Sequence, residues 1–172
     1  MKEIMLSIQP KLVEKILNYE KTIEIRKTKP KCELPCKVYI YETKKENGKG
    51  KVVAEFTLNK VEQYGYYYSP LMFIDNHFKV VDNEITNIKF DYKNTCLTKE
   101  ELRAYAMKYE VYAWHIDNLK IYDKSKELNN FYKELSYKEF MKPNCNTVLN
   151  SNGNFYSPLK NAPQSWCYVE EV

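Results

Sequence analysis

The stretch Ile16-Leu17-Asn18-Tyr19-Glu20-Lys21-Thr22-Ile23-Glu24-Ile25-Arg26 decides the fold, because its pattern changes from helical to extended within a few residues. The apolar residues leading into it recur at three- and four-residue spacing, which is typical of an amphipathic helix. Pro10 suits the first turn of that helix, since its missing N–H costs nothing there. Asn18 can adopt the left-handed conformation that ends helices. The sequence therefore predicts a helix from Pro10 to about Asn18.

The second half of the stretch alternates strictly from Thr22 to Arg26. Side chains of a strand point to opposite faces in turn, so Ile23 and Ile25 share one face and Glu24 and Arg26 share the other. This pattern predicts a strand with one face in the core and one charged face at the surface.

The rest of the chain reads as further strands separated by turns and short helices. Strands are predicted at Met5–Ile8, Lys37–Tyr41, Lys51–Leu58, Val111–Leu119 and Pro163–Val169, and helices at Lys99–Met107, Glu127–Tyr132 and Ser136–Phe140. Thr98 with Glu101 and Ser136 with Glu139 have the spacing of capping boxes. With 172 residues, 44% of them hydrophobic, we expect one domain over residues 1–172. It would carry an insertion around residues 63–96 and a mobile loop around residues 144–160.

Charge and aromatic content leave several functions open. The net charge of +4 is too small to indicate nucleic-acid binding by itself, although it permits a local basic patch. The 16 tyrosines suit both a β-rich core and a stacking surface, and a biased codon composition explains them equally well. No apolar run approaches the roughly 20 residues of a membrane span, and Met1–Ile8 lacks signal-peptide features. We expect a cytoplasmic protein.

Five cysteines without a secretory signal favour reduced thiols. Cys32 and Cys36 are close enough for a zinc site, but no second Cys or His pair follows at finger-like spacing. Ordinary thiols are the preferred interpretation, so no metal and no cofactor is predicted.

The order of elements resembles the ASCH domain family of the PUA-like superfamily, in the form seen in phage and Firmicutes-type members. The most specific likeness is Lys21–Arg26, which resembles the family's Lys-x-x-Glu-x-Arg strand. Further strands that resemble the family are Val52–Phe56, Tyr112–Ile116 and Gln164–Val169. The resemblance implies an α+β fold, a PUA-like mixed β-barrel flanked by short helices.

The resemblance also implies a function. Family members are proposed RNA- or nucleotide-binding modules, one branch hydrolyses the amide of acylated cytidines, and some members are ribonucleases. Lys21 matches the lysine of the hydrolase branch, but Glu24 stands where that branch has a threonine, and no clear glutamate precedes the second helix. Binding of RNA, single-stranded nucleic acid or a modified nucleotide is therefore favoured over catalysis. If the chain is an enzyme, Lys21 and Glu24 are its candidate catalytic residues.

The candidate binding residues are charged or aromatic side chains near that strand and on later strands. They are Lys21, Glu24, Arg26, Lys27, Lys44, Trp114, His115 and Trp166. Arginine offers a planar fork for phosphate or base edges, and tryptophan offers a stacking face. Simpler explanations are a surface ion pair for Glu24 and Arg26, two buried tryptophans, a hydrogen-bonded histidine and a solvated hairpin tip at Lys44.

A third hypothesis is a protein-interaction module. Tyr64–Ile74 is rich in aromatic and apolar side chains, and an exposed loop of this kind is a common docking surface for a partner protein.

Overall fold

The computed structural model describes residues 3–66, 77–81, 84–87, 93–106, 110–141, 147–149 and 153–171. These residues form strands and short helices, which confirms the α+β class. The strands are β1 (Glu3–Ile8), β2 (Ile23–Arg26), β3 (Cys36–Glu42), β4 (Val52–Leu58), β5 (Val61–Tyr66), β6 (His77–Val81), β7 (Glu84–Asn87), β8 (Val111–His115), β9 (Asp117–Lys126), β10 (Phe131–Glu134), β11 (Val148–Leu149), β12 (Phe155–Pro158) and β13 (Trp166–Glu171). The helices are α1 (Pro10–Leu17), α2 (Lys99–Ala106) and α3 (Tyr137–Phe140).

The chain divides into two compact units. The first unit comprises residues 1–14, 36–57 and 118–172, and the second unit comprises residues 15–35 and 58–117. Each unit is built on a sheet of its own.

The sheet of the first unit has the strand order β11-β12-β10-β13-β1-β3-β4-β9. Strand β1 runs parallel to β3 and antiparallel to β13. Ile4, Met5 and Leu6 are fully buried, as expected for a strand covered on both faces. Tyr39 meets Phe131 edge to face with ring centroids 4.7 Å apart, a favourable aromatic geometry.

The sheet of the second unit has the order β2-β8-β5-β6-β7. Ile23 lies opposite His115 and Ile25 opposite Ala113 in an antiparallel pair. Helix α2 contributes Leu102 and Ala106 to the core that contains these isoleucines. The helix is thus held by its apolar stripe, as the three- and four-residue spacing requires.

The strand order of neither sheet closes on itself among the strands described here. The prediction of a mixed sheet with short helices is confirmed, whereas closure into a PUA-like barrel stays a prediction.

The sequence-based helix at Glu127–Tyr132 and the continuous strand at Val111–Leu119 are wrong. Glu127–Tyr132 is not an α-helix: it contains a 3₁₀ turn at Leu128–Asn130 and the start of β10. Phe131 is fully buried and pairs with Glu171 of β13, so tertiary pairing outweighs local propensity. The strand predicted from Val111 to Leu119 is interrupted after His115, and its two parts, β8 and β9, belong to different sheets.

The segment around residues 144–160 contains a regular strand where a loop was predicted. Strand β12 pairs with β10 and with β11. Both capping boxes are confirmed: the Thr98 backbone N–H donates to Glu101 at 2.8 Å, and that of Ser136 donates to Glu139 at 2.9 Å. In the part of the chain that the structure describes, no helix is long and apolar enough to span a bilayer.

Candidate functional site

The connection between α1 and β2 is fixed by backbone hydrogen bonds. The N–H groups of Glu20 and Lys21 both donate to the Lys15 carbonyl, at 2.9 and 3.1 Å. The residue with a left-handed backbone is Tyr19, with φ of 61°, and not Asn18 as predicted. This helix end leaves the Tyr19 ring exposed and directs Lys21 into the protein.

Strand β2 is buried along its whole length, which corrects the prediction of a charged surface face. Lys21, Glu24 and Arg26 are 1%, 5% and 8% exposed. Burial of three charged side chains is expensive unless each finds partners. The site is therefore defined by how these charges are compensated.

The ammonium group of Lys21 has two hydrogen-bond acceptors and one ion-pair partner. Its Nζ lies 2.7 Å from the carbonyl oxygens of Ile23 and Thr95 and 3.1 Å from Glu24 Oε2. Two backbone carbonyl oxygens thus accept hydrogen bonds from the ammonium group, and Glu24 forms an ion pair with it.

Glu24 lies between two cations. Its Oε1 is 2.9 Å from Arg26 Nη2, while its Oε2 faces Lys21. The carboxylate thereby holds the guanidinium in place and compensates part of the buried positive charge. Such charge-assisted bonds are stronger than neutral ones.

After Arg26 along the chain, two exposed lysines each lie near the ring of a tyrosine. Lys27 Nζ lies 5.1 Å from the centroid of Tyr105, and Lys29 Nζ lies 5.9 Å from that of Tyr112. Both lysines are exposed and both rings are partly accessible. We call these four residues the Lys–Tyr strip. Ammonium groups at this distance from aromatic faces are attracted by them.

Tyr105 of the Lys–Tyr strip lies close enough to the buried Arg26 and Glu24 for their charges to affect its pKa. Burial raises the pKa of Tyr105, and the neighbouring Arg26 guanidinium and an N–H from Lys27 partly offset that increase. The Glu24 carboxylate adds to the increase in pKa, so the phenol is neutral at physiological pH and lies near charges of both signs.

Trp114 and His115 lie on opposite faces of β8, as alternation predicts. Trp114 is fully buried, so the simpler explanation, a core tryptophan, is the one found. His115 Nε2 lies 2.7 Å from Glu62 Oε2. Glu62 also accepts from the Tyr64 hydroxyl at 3.1 Å and pairs with Lys60 at 2.9 Å. His115 thus belongs to a polar cluster and not to the Lys–Tyr strip.

The predicted site residues fall in both units. Lys21, Glu24, Arg26, Lys27, Trp114 and His115 belong to the second unit, and Lys44 and Trp166 to the first. Trp166 is half-buried and meets Tyr168 edge to face at 5.5 Å. Of the Tyr64–Ile74 segment, residues 67–74 lie outside the described residues, and Tyr64 itself is buried.

Three contributors were not predicted from the sequence: Thr95, Glu62 and Tyr105. Thr95 is 74 positions from Lys21 and acts through its backbone carbonyl, which any residue type could supply. No sequence motif marks Tyr105 or Glu62. Tertiary packing brings Tyr105 near Lys27, and it brings Glu62 near His115.

Among the described residues, no group of three His, Cys, Asp or Glu side chains could hold a metal ion. Burial raises the pKa of the Cys167 thiol to about 11, which disfavours the thiolate that a metal would need.

The fold and site together define a class: an α+β protein with a mixed sheet and a charged strand buried beside a short amphipathic helix. No protein-family model matches the sequence. No curated protein matches it either.

Solved structures do match. The ASCH protein from Zymomonas mobilis has a TM-score of 0.57 and 15% identity, over 98% of this chain and 88% of that one. A tyrosine-to-phenylalanine mutant of that protein has a TM-score of 0.53 and 14% identity, over 99% and 91%. A serine-to-alanine mutant has a TM-score of 0.56 and 15% identity, over 98% and 89%. The chain has the ASCH fold, which confirms the resemblance at the level of fold.

Proposed function

We propose that the protein binds single-stranded nucleic acid, RNA in particular, through the Lys–Tyr strip next to β2. The observation that carries the proposal is the pairing of two exposed ammonium groups with two partly accessible tyrosine rings beside a buried, carboxylate-held arginine. Lysines neutralise phosphates and aromatic rings stack on unpaired bases. The resemblance to the ASCH family implies the same class of ligand.

The buried charges have a supporting role in this proposal. Lys21 and Glu24 are too enclosed to contact a ligand and hold β2 and Arg26 in position. The strip, not the Lys-x-x-Glu-x-Arg motif itself, is the contact surface. Lys27 is the one predicted site residue that belongs to it.

The amidohydrolase and ribonuclease alternatives stay predictions. Lys21 is 1% exposed and makes its contacts with two carbonyl oxygens and Glu24 inside the protein. Its Nζ is therefore not accessible to a substrate. This geometry supports binding over catalysis by Lys21.

The test is binding of a labelled single-stranded RNA of about 12 nucleotides, measured by fluorescence anisotropy at several salt concentrations. We expect the double variant Lys27→Ala/Lys29→Ala to bind at least tenfold more weakly at low salt. We also expect the slope of log affinity against log salt to fall by about 2, since each lost phosphate contact removes about one.

The matched control is Lys124→Ala/Lys138→Ala, which removes two exposed lysines from the first unit. It changes net charge equally and should retain the salt slope. An equal loss in both double variants would reduce the effect to overall charge and refute the assignment. Absence of RNA binding by the unaltered protein at low salt would refute the function itself.

A further inference from the structure

The first unit contains a cavity of about 640 Å³ that the proposed function does not use. Three segments form its walls: the β3–β4 loop, the 3₁₀ turn before β10 and the stretch that follows β12. Its volume lies within the range of roughly 300–1,000 Å³ that is typical of small-molecule sites. The cavity is thus large enough for a ligand of the size of a nucleotide.

Backbone hydrogen bonds hold all three walls. The loop is closed by Glu42 N–H to the Lys51 carbonyl at 2.9 Å, the turn by Asn130 N–H to Glu127 at 3.2 Å, and the third wall by Leu159 N–H to Phe131 at 2.8 Å. A cavity whose walls are fixed before binding costs less entropy to occupy.

The β3–β4 loop adopts an unusual backbone to reach this position. Glu46, Asn47 and Gly50 all have positive φ, of 50°, 63° and 64°. A Cβ at Gly50 would lie 2.6 Å from side-chain atoms of Lys44, so the glycine leaves room for the lysine to cross the loop. Left-handed non-glycine residues are strained and cluster at functional sites.

Two lysines line the cavity, and the positive charge of neither is balanced by a carboxylate of a described residue. Among the described residues, neither Lys44 nor Lys160 has a carboxylate within ion-pair distance. The carboxylate in the wall, Glu127, lies 2.7 Å from Lys51. The lining therefore has a net positive charge, which suits an anion.

The uncharged residues that line the cavity include both polar and apolar side chains. The Tyr41 hydroxyl and the amides of Asn129 and Asn161 make no hydrogen bond with any described residue. Tyr41 and Leu159 are buried and offer a ring and a branched side chain to a flat ligand. Asparagine can donate and accept at once, which matches the edge of a nucleobase.

We propose that this cavity binds a nucleoside phosphate, with Lys44 and Lys160 contacting the phosphate and Tyr41, Asn129 and Asn161 contacting the base. The ligand is either a free nucleotide or the phosphorylated end of a strand. The proposal does not depend on the Lys–Tyr strip, because it uses different residues in the other unit.

Isothermal titration calorimetry at low salt tests the proposal with four probes: ribonucleoside 5′-monophosphates, the matching nucleosides, inorganic phosphate, and a short RNA with a 5′-phosphate. We expect at least one monophosphate to bind at least tenfold more tightly than its nucleoside and than phosphate. We expect Lys44→Ala/Lys160→Ala to lower that affinity at least tenfold. The phosphorylated RNA is measured in the Lys27→Ala/Lys29→Ala background, so that the Lys–Tyr strip does not contribute. Binding as tight as that of the monophosphate supports the strand end as the source, and weaker binding supports the free nucleotide.

The matched control is Lys45→Ala/Lys124→Ala, whose lysines are exposed and outside the lining. It should retain the affinity, as should Lys27→Ala/Lys29→Ala, so failure of this proposal and failure of the proposed function are distinguishable. Phosphate binding as tightly as every nucleotide would overturn the nucleoside assignment. Unchanged affinity in Lys44→Ala/Lys160→Ala, or no binding by the unaltered protein, would overturn the site.

Discussion

At the scale of single residues, Lys21 illustrates how burial changes the meaning of a motif. As part of Lys-x-x-Glu-x-Arg it indicates a ligand contact, yet its side chain is 1% exposed and has two hydrogen-bond acceptors and one ion-pair partner within the protein. A residue can therefore match a family pattern and stabilise the fold without touching a ligand. Its contribution to stability is measurable.

We predict that Lys21→Met lowers the free energy of unfolding by roughly 3–5 kcal/mol, because removing one partner leaves the other buried charge less compensated. Urea unfolding measures the change. Lys124→Met, at an exposed lysine, should lie within about 0.5 kcal/mol of the unaltered protein.

A second variant measures the contribution of the remaining Glu24–Arg26 pair. In Lys21→Met/Glu24→Gln the buried Arg26 loses its carboxylate as well, so the double variant should be less stable than Lys21→Met. If the single variant is as stable as the unaltered protein, the account of Lys21 as a structural cation is wrong.

At the scale of elements, β2 shows why alternation and burial are separate questions. The pattern Ile-Glu-Ile-Arg correctly predicts a strand at Ile23–Arg26, because alternation reflects backbone geometry. Whether the polar face meets solvent depends on what covers it. The buried side chains of Glu24 and Arg26 show that the polar face is covered as well.

Helix α2 positions the Tyr105 ring of the Lys–Tyr strip, and its start is set by a capping box. Thr98 accepts from the Glu101 N–H at 3.1 Å, while Glu101 accepts from the Thr98 N–H at 2.8 Å. We predict that Thr98→Ala lowers the free energy of unfolding by about 1 kcal/mol, since it leaves an N–H of the first turn without its cap. Denaturant unfolding measures it.

The control for this prediction is Thr98→Ser, which retains the capping hydroxyl and should cost only a fraction of that amount. If the serine variant loses as much stability as the alanine variant, the methyl group and not the cap is responsible.

At the scale of the whole molecule, tyrosines are buried in both units. The pKa values of Tyr39, Tyr64 and Tyr122 are raised, in each case mainly by burial and further by a neighbouring glutamate. A phenol in the unfolded chain ionises near pH 10. Because the folded pKa is higher, the stabilisation is complete below that pH and is lost as the pH rises above it.

We therefore predict that the free energy of unfolding falls progressively above about pH 10. Urea unfolding at a series of alkaline pH values, with phenolate absorbance recorded in parallel, measures the effect. The variant Tyr122→Phe should show a shallower decline, because one raised pKa is removed while Glu55 keeps its partner Lys120. A stability that is independent of pH up to about 11 would contradict the prediction.

Local features were predictable from the sequence because local geometry produces them. Helix α1, strand β2 and both capping boxes follow from spacing of side chains that are neighbours along the chain. The resemblance to the ASCH family was visible in the same segments, and the match in fold confirms it. Of the candidate site, the sequence correctly indicated the strand at Ile23–Arg26 and the opposite faces of Trp114 and His115, while a role of Lys21–Arg26 in ligand binding stays a prediction.

The sequence by itself determined helix α1, strand β2 and both capping boxes, since periodicity and capping act over a few residues. The tertiary structure alone decided that Lys21 reaches the Thr95 carbonyl 74 positions away and that Lys27 lies over Tyr105. It also decided that Lys44 and Lys160 line one cavity. The physical reason is that burial and charge compensation depend on contacts between distant segments, and no spacing along the chain encodes them.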